Sequence, residues 1–522
     1  MADVGSGIVL VGMPTSGKST VGRLVADRLG RPYLDTDELL ARRLGMPVPS
    51  FLERHGEPRF RAEEAKAVDD ACATSGAVIS TGGGAGLDPL NRWALWHHGT
   101  VAWLDVPAND LLRRLRADGV SRPTIQPYST DRLATVLADR AAVYRAADLR
   151  LDASRAPTEI ADELCSGLRP LHGRRLLDAE VPRHHPIGPA TARVVMGVDL
   201  ADVIPAGAVV LDRRLLIAAP DLVRATPASP CLAIAAGERS KRIRRLEHIL
   251  EWLAEERVER GTALIAVGGG TIGDLAGTAA ALYARGLPLV QVPTTWLAQA
   301  DSAIGGKVAV DLGVAKNAVG AFWPPVSVIS DVAALHSLPV RLRRDGMAES
   351  IKSALIGDAA LWRLIEERGG RAIRTDEPAR YAILERSARL KLAVCERDPF
   401  EDGERRTLNL GHTIGHALEI ESRYRLPHGR AVALGMRAVT AVATRRGADT
   451  ELAPRLDALL DRLGFALHHS FDAGAVKAAM LGDKKRRAGR QRWVLPMEVG
   501  RVIEVHDVTD AELELGLRTI AA

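Results

Sequence analysis

The sequence predicts an α/β protein in two modules. The first is built on one parallel sheet; the second opens as α/β and closes mainly helical. Three observations carry this reading. Over residues 1–166 short apolar runs alternate with amphipathic helices, and "IVLVG", "AVIST" and "TVAWLDV" are apolar throughout, as strands covered on both faces are. A second set of such strands follows in "ARVVMG", "AVVLD", "CLAIAAG", "ALIAVGGG" and "LVQVPTT", with a long helix near Ile243–Glu259. After about Leu335 helical periodicity dominates to Leu481, and a late strand-like pair stands at "RWVLPM" and "RVIEV".

These patterns place a first domain at residues 1–167, a linker at 168–190, an α/β unit at 191–335 and a helical unit at 336–522. The linker, within "LRPLHGRRLLDAEVPRHHPIGPAT", is rich in Pro, Arg and His and lacks sustained periodicity. Its histidines, His172, His184 and His185, read as solvated loop residues. The length of 522 residues fits this division, since a domain averages roughly 150 residues.

Composition removes several classes of function. Apolar residues are 47% and charged residues 26%, which is globular and leaves material for several cores. The net charge is +5, with Arg far commoner than Lys and the basic residues dispersed rather than massed on one stripe. Nucleic-acid binding is therefore not expected, and the positive excess reads as pockets for anionic substrates. Cys72, Cys165, Cys231 and Cys395 are far apart and show no paired spacing, which suits a reducing compartment. With no signal-like leader and no long apolar run, a cytoplasmic protein without a membrane partner is expected.

In the first domain, "GMPTSGKST" satisfies G-x-x-x-x-G-K-[ST] with Gly12, Gly17, Lys18 and Ser19, after a strand and at the start of a helix. Successive backbone N–H groups and the helix dipole suit phosphate, Lys18 adds a cation, and the Ser19 hydroxyl can ligate Mg²⁺, so ATP is the expected ligand. "YLDTDELL" puts Asp35 and Asp37 at the end of the next strand, Asp35 for the Mg²⁺ shell and Asp37 for a substrate hydroxyl. Arg61, Arg122 and Arg140, with the glycine turn Gly82–Gly84 of "STGGGAG", suit a small carboxylate.

Together these motifs resemble shikimate kinase across essentially all of residues 1–166. The resemblance implies that Asp37, Arg61, Arg140 and the Gly82, Gly83, Gly84 turn bind shikimate. It also implies that Gly12, Gly17, Lys18, Ser19 and Thr20 bind ATP, and that Arg122 sits on a lid closing over it. Lys18, Asp37 and Arg122 are then the catalytic groups. The chain departs from the family pattern at Thr15, where glycine is usual, and at Thr124 and Ile125, where a leucine pair is usual.

In the second module, "ALIAVGGGTIGD" matches G-x-G-x-x-G at Gly268, Gly270 and Gly273 after an apolar strand. The acid that an ordinary dinucleotide fold places about twenty residues further on is missing, and Glu238 in "AAGERSK" is the alternative ribose partner. In "LNLGHTIGHALE", His412 and His416 stand at i and i+4 on one helix face, a spacing that suggests a shared metal or a satisfied core pair. His428 and Glu349 offer further ligands, a His/carboxylate set suited to Zn²⁺, and Lys352 follows Glu349 on the same face.

With "AQADSAIGGKVAV", "KNAVGAFWPP", "RDPFEDGERRTLNLGHT" and "LGDKK", this set resembles 3-dehydroquinate synthase over roughly residues 190–522. The resemblance implies a P-loop kinase domain followed by a dehydroquinate-synthase-like module, with a nucleotide-binding α/β unit and a mainly helical one. It assigns Glu349, His412 and His428 to Zn²⁺ (or Co²⁺) and turns His416 toward substrate. Asp212, Glu238, Lys241, Gly268, Gly269, Gly270, Asp274, Thr294, Thr295 and Lys316 would hold NAD. Asp301, Lys307, Asn317, Lys352, Lys391, Arg405, Asn409, His416 and Lys484 or Lys485 would form the heptulosonate phosphate shell, with Lys307, Lys352, Arg405 and His416 catalytic. Arg285 would reach a neighbouring subunit's phosphate site, implying a homodimer. Departures stand at Ala303 (usually serine), Pro399, and Arg430 where the family pattern has glutamate.

The rivals for this module are polyol dehydrogenases of the same fold and cyclases acting on other sugar phosphates. A dehydrogenase needs fewer phosphate-binding cations, and the other cyclases have no carboxylate for Lys391, Arg405 and Asn409 to bind.

Overall fold

The computed structural model describes residues 7–118, 125–171, 173–184, 191–225, 228–313, 315–481 and 491–522. The chain divides into two compact units: Met1–Glu180 with Arg193–Leu200, and Val181–Ala192 with Ala201–Ala522.

The first unit holds a five-stranded parallel sheet of β1 (Gly7–Val11), β2 (Tyr33–Asp35), β3 (Val78–Ser80), β4 (Gly99–Asp105) and β5 (Leu149–Asp152). Its order is β2-β3-β1-β4-β5. Ile8, Val9 and Leu10 are wholly buried because β1 lies mid-sheet and helices cover both faces, which is why the run carries no polar alternation. The chain leaves β1 through a tight loop into the helix Lys18–Leu29, capped at Gly17 with φ 98°. The helical stretch Val48–Cys72 is broken at Gly56 (φ 75°, ψ 166°) just before Pro58, so Arg61 opens a separate helical segment.

The segment expected as a linker corrects the sequence reading. Arg174–Pro182 forms strand β6, beside β7 (Thr191–Val198). Its polar residues hid the strand: Arg174 is buried on Asp148 (3.2 Å), and Asp178 accepts two hydrogen bonds from Arg193 (2.9 and 2.7 Å), while Leu176 and Leu177 enter the core. Paired charges read as loop in a sequence and as strand once their partners are in place. His184 is exposed, as expected, and His172 and His185 lie outside the described residues.

In the second unit, β8 (Gly207–Asp212), β9 (Ala228–Ile234), β10 (Leu264–Gly268) and β11 (Leu289–Pro293) are followed by the antiparallel hairpin β12 (Lys307–Leu312) and β13 (Ala315–Phe322), and then β14 (Ser327–Asp331). The parallel strands run in the order β14-β11-β10-β8-β9. Strand order reverses between β8 and β10, the crevice where such sheets take ligands, and it brings Asp212 and Gly268 to one edge. Leu246, Ile249 and Leu253 of the helix Ile243–Glu255 share a core with Ile272, Leu275 and Ala276 of the helix Gly270–Leu282.

Helices then dominate, as the periodicity predicts, up to the hairpin β15 (Trp493–Glu498) and β16 (Arg501–Val505) and the last helix, Asp510–Ile520. Two glycines fix the helix packing that matters most. A Cβ on Gly429 would stand 1.8 Å from the Asp345 carbonyl oxygen, and one on Gly435 would stand 2.0 Å from that of Gly411. The helix His428–Arg445 is thereby held against Val340–Gly357 on one side and His412–Glu421 on the other. That contact is what gathers His428, Glu349 and His412. Among the described residues no helix is long and apolar enough to cross a membrane.

Candidate active sites

In the first unit the loop after β1 is wrapped around Lys18, whose Nζ donates to the carbonyls of Gly12 (3.1 Å) and Met13 (2.8 Å). The Ser19 hydroxyl donates to Asp35 Oδ2 at 2.8 Å, so the two expected Mg²⁺ partners already meet. Asp35 also accepts from Tyr33 OH (3.1 Å) and from the Asp37 backbone N–H (3.0 Å), which caps the next helix and aims Asp37. Thr20 is exposed at the helix start.

The turn Gly82–Gly84 collects the residues expected to bind a small carboxylate substrate. A Cβ on Gly82 would meet Asp37 Oδ1 at 2.4 Å, one on Gly83 the Arg140 guanidinium at 3.2 Å, and one on Gly84 that of Arg61 at 3.2 Å. Only glycine leaves room for three charged side chains against one turn. Arg140 and Tyr144 OH both donate to the Gly83 carbonyl, at 2.7 and 2.9 Å. Arg61 also pairs with Glu64 (2.7 Å); burial pushes the Glu64 carboxyl up more than Arg61 lowers it. Tyr144 and Arg114, which donates to the carbonyls of Thr15 (3.4 Å) and Ala153 (2.8 Å), are contributors that sequence reasoning missed. Arg122 lies outside the described residues.

In the second unit a cleft of about 1420 Å³ runs from Asp212 and Glu238 past Gly269, Gly270 and Thr295 to Glu349's neighbours His412 and His428. The donor atoms of Glu349, His412 and His428 lie within 4.8 Å of one another. His428 Nε2 is 3.2 Å and His412 Nε2 3.5 Å from Glu349 Oε1. The opposite ring nitrogens are committed: His412 Nδ1 to the Leu410 carbonyl (3.1 Å) and His428 Nδ1 to Glu419 Oε2 (3.2 Å). Both rings therefore turn Nε2 toward one point, as a two-histidine, one-carboxylate metal site with an open position requires. His416 stands beside them, ring centroid 5.2 Å from that of His412, with Glu419 and His428 forming a second group of possible ligands.

Electrostatics follow from burial and pairing. Glu349 is 1% exposed; burial raises its carboxyl, but Lys352 at 2.5 Å and His412 outweigh that and hold it well below the usual range. Burial lowers Lys352, yet Asp301 and Glu349 more than restore it and raise it above the ordinary value. Burial lowers His412. His428 resists burial through Glu349 and Glu419 and is pushed up to about 9. Asp301, on a π-helical turn at Ala298–Ser302, pairs with Lys391 (2.7 Å). Lys307 pairs with Glu401 (2.5 Å), which also accepts from Asn409 (3.0 Å). Arg405 donates to the Gly305 carbonyl at 2.7 Å.

Along the rest of the cleft, Lys241 pairs with Asp274 and donates to Asn317 Oδ1 (2.5 Å), and Lys316 joins Glu238 (3.1 Å) to Glu419 (3.2 Å). A Cβ would press Gly269 into Thr295 (2.9 Å) and Gly270 into Ser302 (2.8 Å), so this stretch of the cleft wall packs on those side chains only as glycine.

Comparison with known proteins decides what this geometry belongs to. The shikimate kinase family model matches residues 14–169, and the N-terminal and C-terminal 3-dehydroquinate synthase models match 231–345 and 346–486. A 3-dehydroquinate synthase from Symbiobacterium thermophilum is 40% identical over 293 residues, spanning 55% of this chain and 82% of the relative. The chain belongs to the 3-dehydroquinate synthase family, with a shikimate kinase domain fused ahead of it. A 2-epi-valiolone synthase from Actinosynnema mirum is 41% identical over 293 residues, spanning 55% of this chain and 76% of its own. The solved 2-epi-5-epi-valiolone synthase ValA from Streptomyces hygroscopicus, with NAD⁺ and Zn²⁺ bound, is 27% identical with a TM-score of 0.60, covering 65% of this chain and 98% of that one.

Within the synthase unit the expected residues gather with few exceptions. Asp212, Glu238, Lys241, Gly269, Gly270, Asp274, Thr295, Asp301, Lys307, Lys316, Asn317, Lys352, Lys391, Arg405, Asn409, His412, His416 and His428 line one cleft. Gly268 and Thr294 lie behind that wall, tied by a bond from the Thr294 N–H to the Gly268 carbonyl (2.9 Å). Arg285 is apart from the cleft, on a turn where Ala284 (φ 49°) and Arg285 (φ 62°) are both left-handed. Lys484 and Lys485 lie outside the described residues. Glu419, Arg492 and Glu504 also line the cleft and were missed. For Glu419 a signal existed, since it follows His416 by one helical turn.

The departures also find places. Thr15 sits at φ 63°, left-handed backbone that a β-branched residue rarely adopts, which explains why glycine suits the position. Arg430 donates to Asp345 Oδ1 (3.1 Å) and so spends its charge away from Glu349. The Pro399 carbonyl accepts from Arg405 (2.5 Å). Ala303 and Ile125 are buried.

Proposed function

We propose that the first unit transfers a phosphoryl group from ATP to shikimate. We propose that the second converts 3-deoxy-D-arabino-heptulosonate 7-phosphate to 3-dehydroquinate with phosphate release. The observation that carries the second reading is one cleft lined by His412, His428, two glycines and several cations, with the buried Glu349 carboxylate beside the two histidines.

In the kinase unit, Lys18 leaves its two loop carbonyls to meet the terminal phosphates, and Ser19 with Asp35 holds Mg²⁺. Asp37 Oδ accepts the proton of the shikimate hydroxyl, while Arg61 and Arg140 at the Gly82–Gly84 turn fix its carboxylate. Arg122 neutralises the transferring phosphoryl group.

In the synthase unit, the donor set fits Zn²⁺ or Co²⁺ through Glu349, His412 and His428, and the Gly269–Gly270 stretch of the cleft wall with Glu238, Lys241, Asp274 and Lys316 fits NAD. When bound, the metal polarises the substrate hydroxyl and the dinucleotide takes up and returns the hydride. The chain's own residues do the rest. Lys391, Arg405 and Asn409 fix the carboxylate, which favours this substrate over the carboxylate-free sugar phosphates of other cyclases. Lys307, Lys352 and Asn317 hold the phosphate side, and the resemblance adds Lys484 or Lys485 to this role. His416 Nε2, close to both His412 and His428, moves the proton as phosphate departs. Arg285, apart from its own cleft, serves a second copy, so a cytoplasmic homodimer is expected.

Metal analysis of dialysed His412→Ala and His416→Ala, beside the two assays, tests this. His412→Ala should lose its metal, keeping two protein ligands, while His416→Ala keeps the metal and loses turnover. Both should phosphorylate shikimate at the parent rate. Metal loss in His416→Ala with retention in His412→Ala would reverse the assignment. Phosphate release from a heptulose phosphate without a carboxylate, but not from the heptulosonate phosphate, would favour the valiolone-type reaction.

A further inference from the structure

We infer that Glu419 is a positioning residue for the metal ligand His428, and that Lys316, shared between Glu419 and Glu238, ties metal binding to dinucleotide binding. No activity requires this arrangement in advance; it rests on the reading above that Glu349, His412 and His428 hold the metal.

The connection is continuous. Glu238 Oε1 lies 3.1 Å from Lys316 Nζ, which lies 3.2 Å from Glu419 Oε1. The other oxygen of Glu419, Oε2, is 3.2 Å from His428 Nδ1, and His428 Nε2 is 3.2 Å from Glu349 Oε1. Glu419 Oε1 thus serves the lysine and Oε2 serves His428, with His416 Nε2 further off at 4.0 Å from Oε2. Glu419 is 4% exposed, so its charge is poorly screened by water and its sharing is felt at both ends. The Tyr424 ring, 5.4 Å from Lys316 Nζ, limits where the ammonium can go.

Two consequences follow from ordinary chemistry. A carboxylate accepting from Nδ1–H fixes which imidazole nitrogen faces the metal and makes that nitrogen the better donor. Glu238, meanwhile, is 37% exposed at its side chain and faces the open cleft, where ribose hydroxyls would bond to it. A ribose there changes how Lys316 divides its charge between Glu238 and Glu419, and so changes the histidine. The metal must alter dinucleotide affinity by the same factor, because coupling between two ligands is reciprocal.

A lysine–glutamate pair that merely stitches β13 to the helix His412–Glu421 would show no such linkage, and this separates the two roles. Zinc affinity is measured by competition with a chromophoric chelator, with and without saturating NAD, for the parent, Glu419→Gln, Glu419→Asp and Lys316→Gln. Glu419→Gln should weaken zinc by about 10- to 100-fold while thermal unfolding shows a folded chain. Glu419→Asp, which keeps the charge and withdraws it by one methylene, gives the same readout should the amide not fold. In the parent, NAD should shift the zinc Kd by about fivefold or more, and Lys316→Gln should bring that ratio close to one. Zinc affinity in both Glu419 variants within about threefold of the parent, below the loss such supporting groups usually cause, overturns the positioning role. A parent ratio of one, or an unchanged ratio in Lys316→Gln, overturns the coupling. His412→Ala distinguishes the two levels: if it retains zinc, the ligand assignment itself falls, and if it loses zinc while the Glu419 variants keep it, only this inference falls.

Discussion

The kinase unit gathers its expected anion-binding groups around two short stretches, the loop Gly12–Ser19 and the turn Gly82–Gly84 on which Arg61 and Arg140 converge, and there backbone geometry does the positioning. In the synthase unit the site is assembled from distant segments: the β12–β13 hairpin and the helices Val340–Gly357, Glu377–Arg397, His412–Glu421 and His428–Arg445. There, charge balance does the positioning: Lys352 lies between Glu349 and Asp301, Lys391 on Asp301, and Lys316 between two glutamates. The difference teaches where each site is fragile. Added bulk at a glycine should break the first, and removal of one charge should break the second.

The largest expected effect tests whether these are two sites at all. Lys18→Ala should lower kinase kcat/KM by roughly a thousandfold, the scale of losing a charge contact to a transferring phosphoryl group. The cyclase rate should stay within about threefold, since distant sites rarely couple by more than ~1 kcal/mol. A joint fall of both activities in a folded chain would end the comparison.

A smaller loss sharpens the claim about backbone. Gly82→Ala would place a methyl 2.4 Å from Asp37 Oδ1, and the carboxylate must move. Kinase kcat should fall by about 10- to 100-fold, because a displacement near 1 Å at a reacting group can cost that much. Steady-state kinetics with shikimate decide it, and an unchanged kcat would show that Asp37 is not the group that receives the proton.

The same contrast explains what the sequence made legible. Gly12, Gly17, Lys18 and Ser19 are local, and their spacing after a strand points to phosphate; the Gly82–Gly84 turn is as local, but its expected role came from the resemblance. Order along the chain also carried Glu349, His412 and His428, because separate motifs of one family fell in sequence. What stayed hidden depends on partners far away. Arg174 and Asp178 looked like loop residues until Asp148 and Arg193 were seen to neutralise them within strands. Glu419 looked like the polar end of a helix until Lys316 and His428 met it. The choice between His412 and His416 could not come from i, i+4 spacing, because both face one way. Both also stand in a group of possible ligands with His428, so the metal analysis of the two alanine variants decides between them. The late hairpin and the helices before it were legible, since their periodicity is set by a single buried face.

The smallest effect asks whether charge acts the same way where water reaches it. At the surface of the synthase unit, Arg446 grips Glu512 with two hydrogen bonds (2.7 and 2.8 Å), and the Thr509 backbone N–H donates to the same carboxylate at 2.8 Å, capping the last helix. The Arg446 bonds, then the Thr509 N–H, pull the Glu512 carboxyl from 4.5 to about 2. A depressed folded value means the stabilisation is complete above the unfolded pKa near 4.5 and is lost as pH falls toward 2. Solvent screening keeps the pair near ~1 kcal/mol, far less than the shift alone would suggest. Glu512→Gln should therefore melt about 2 °C below the parent at pH 7. That gap should narrow steadily once pH drops under 4.5, because the parent then protonates the same carboxylate. Paired melting curves from pH 7 to pH 3.5 provide the measurement. A gap that stays constant would assign the effect to the neutral cap rather than to the charge, and would remove this pair from the comparison with the buried cleft.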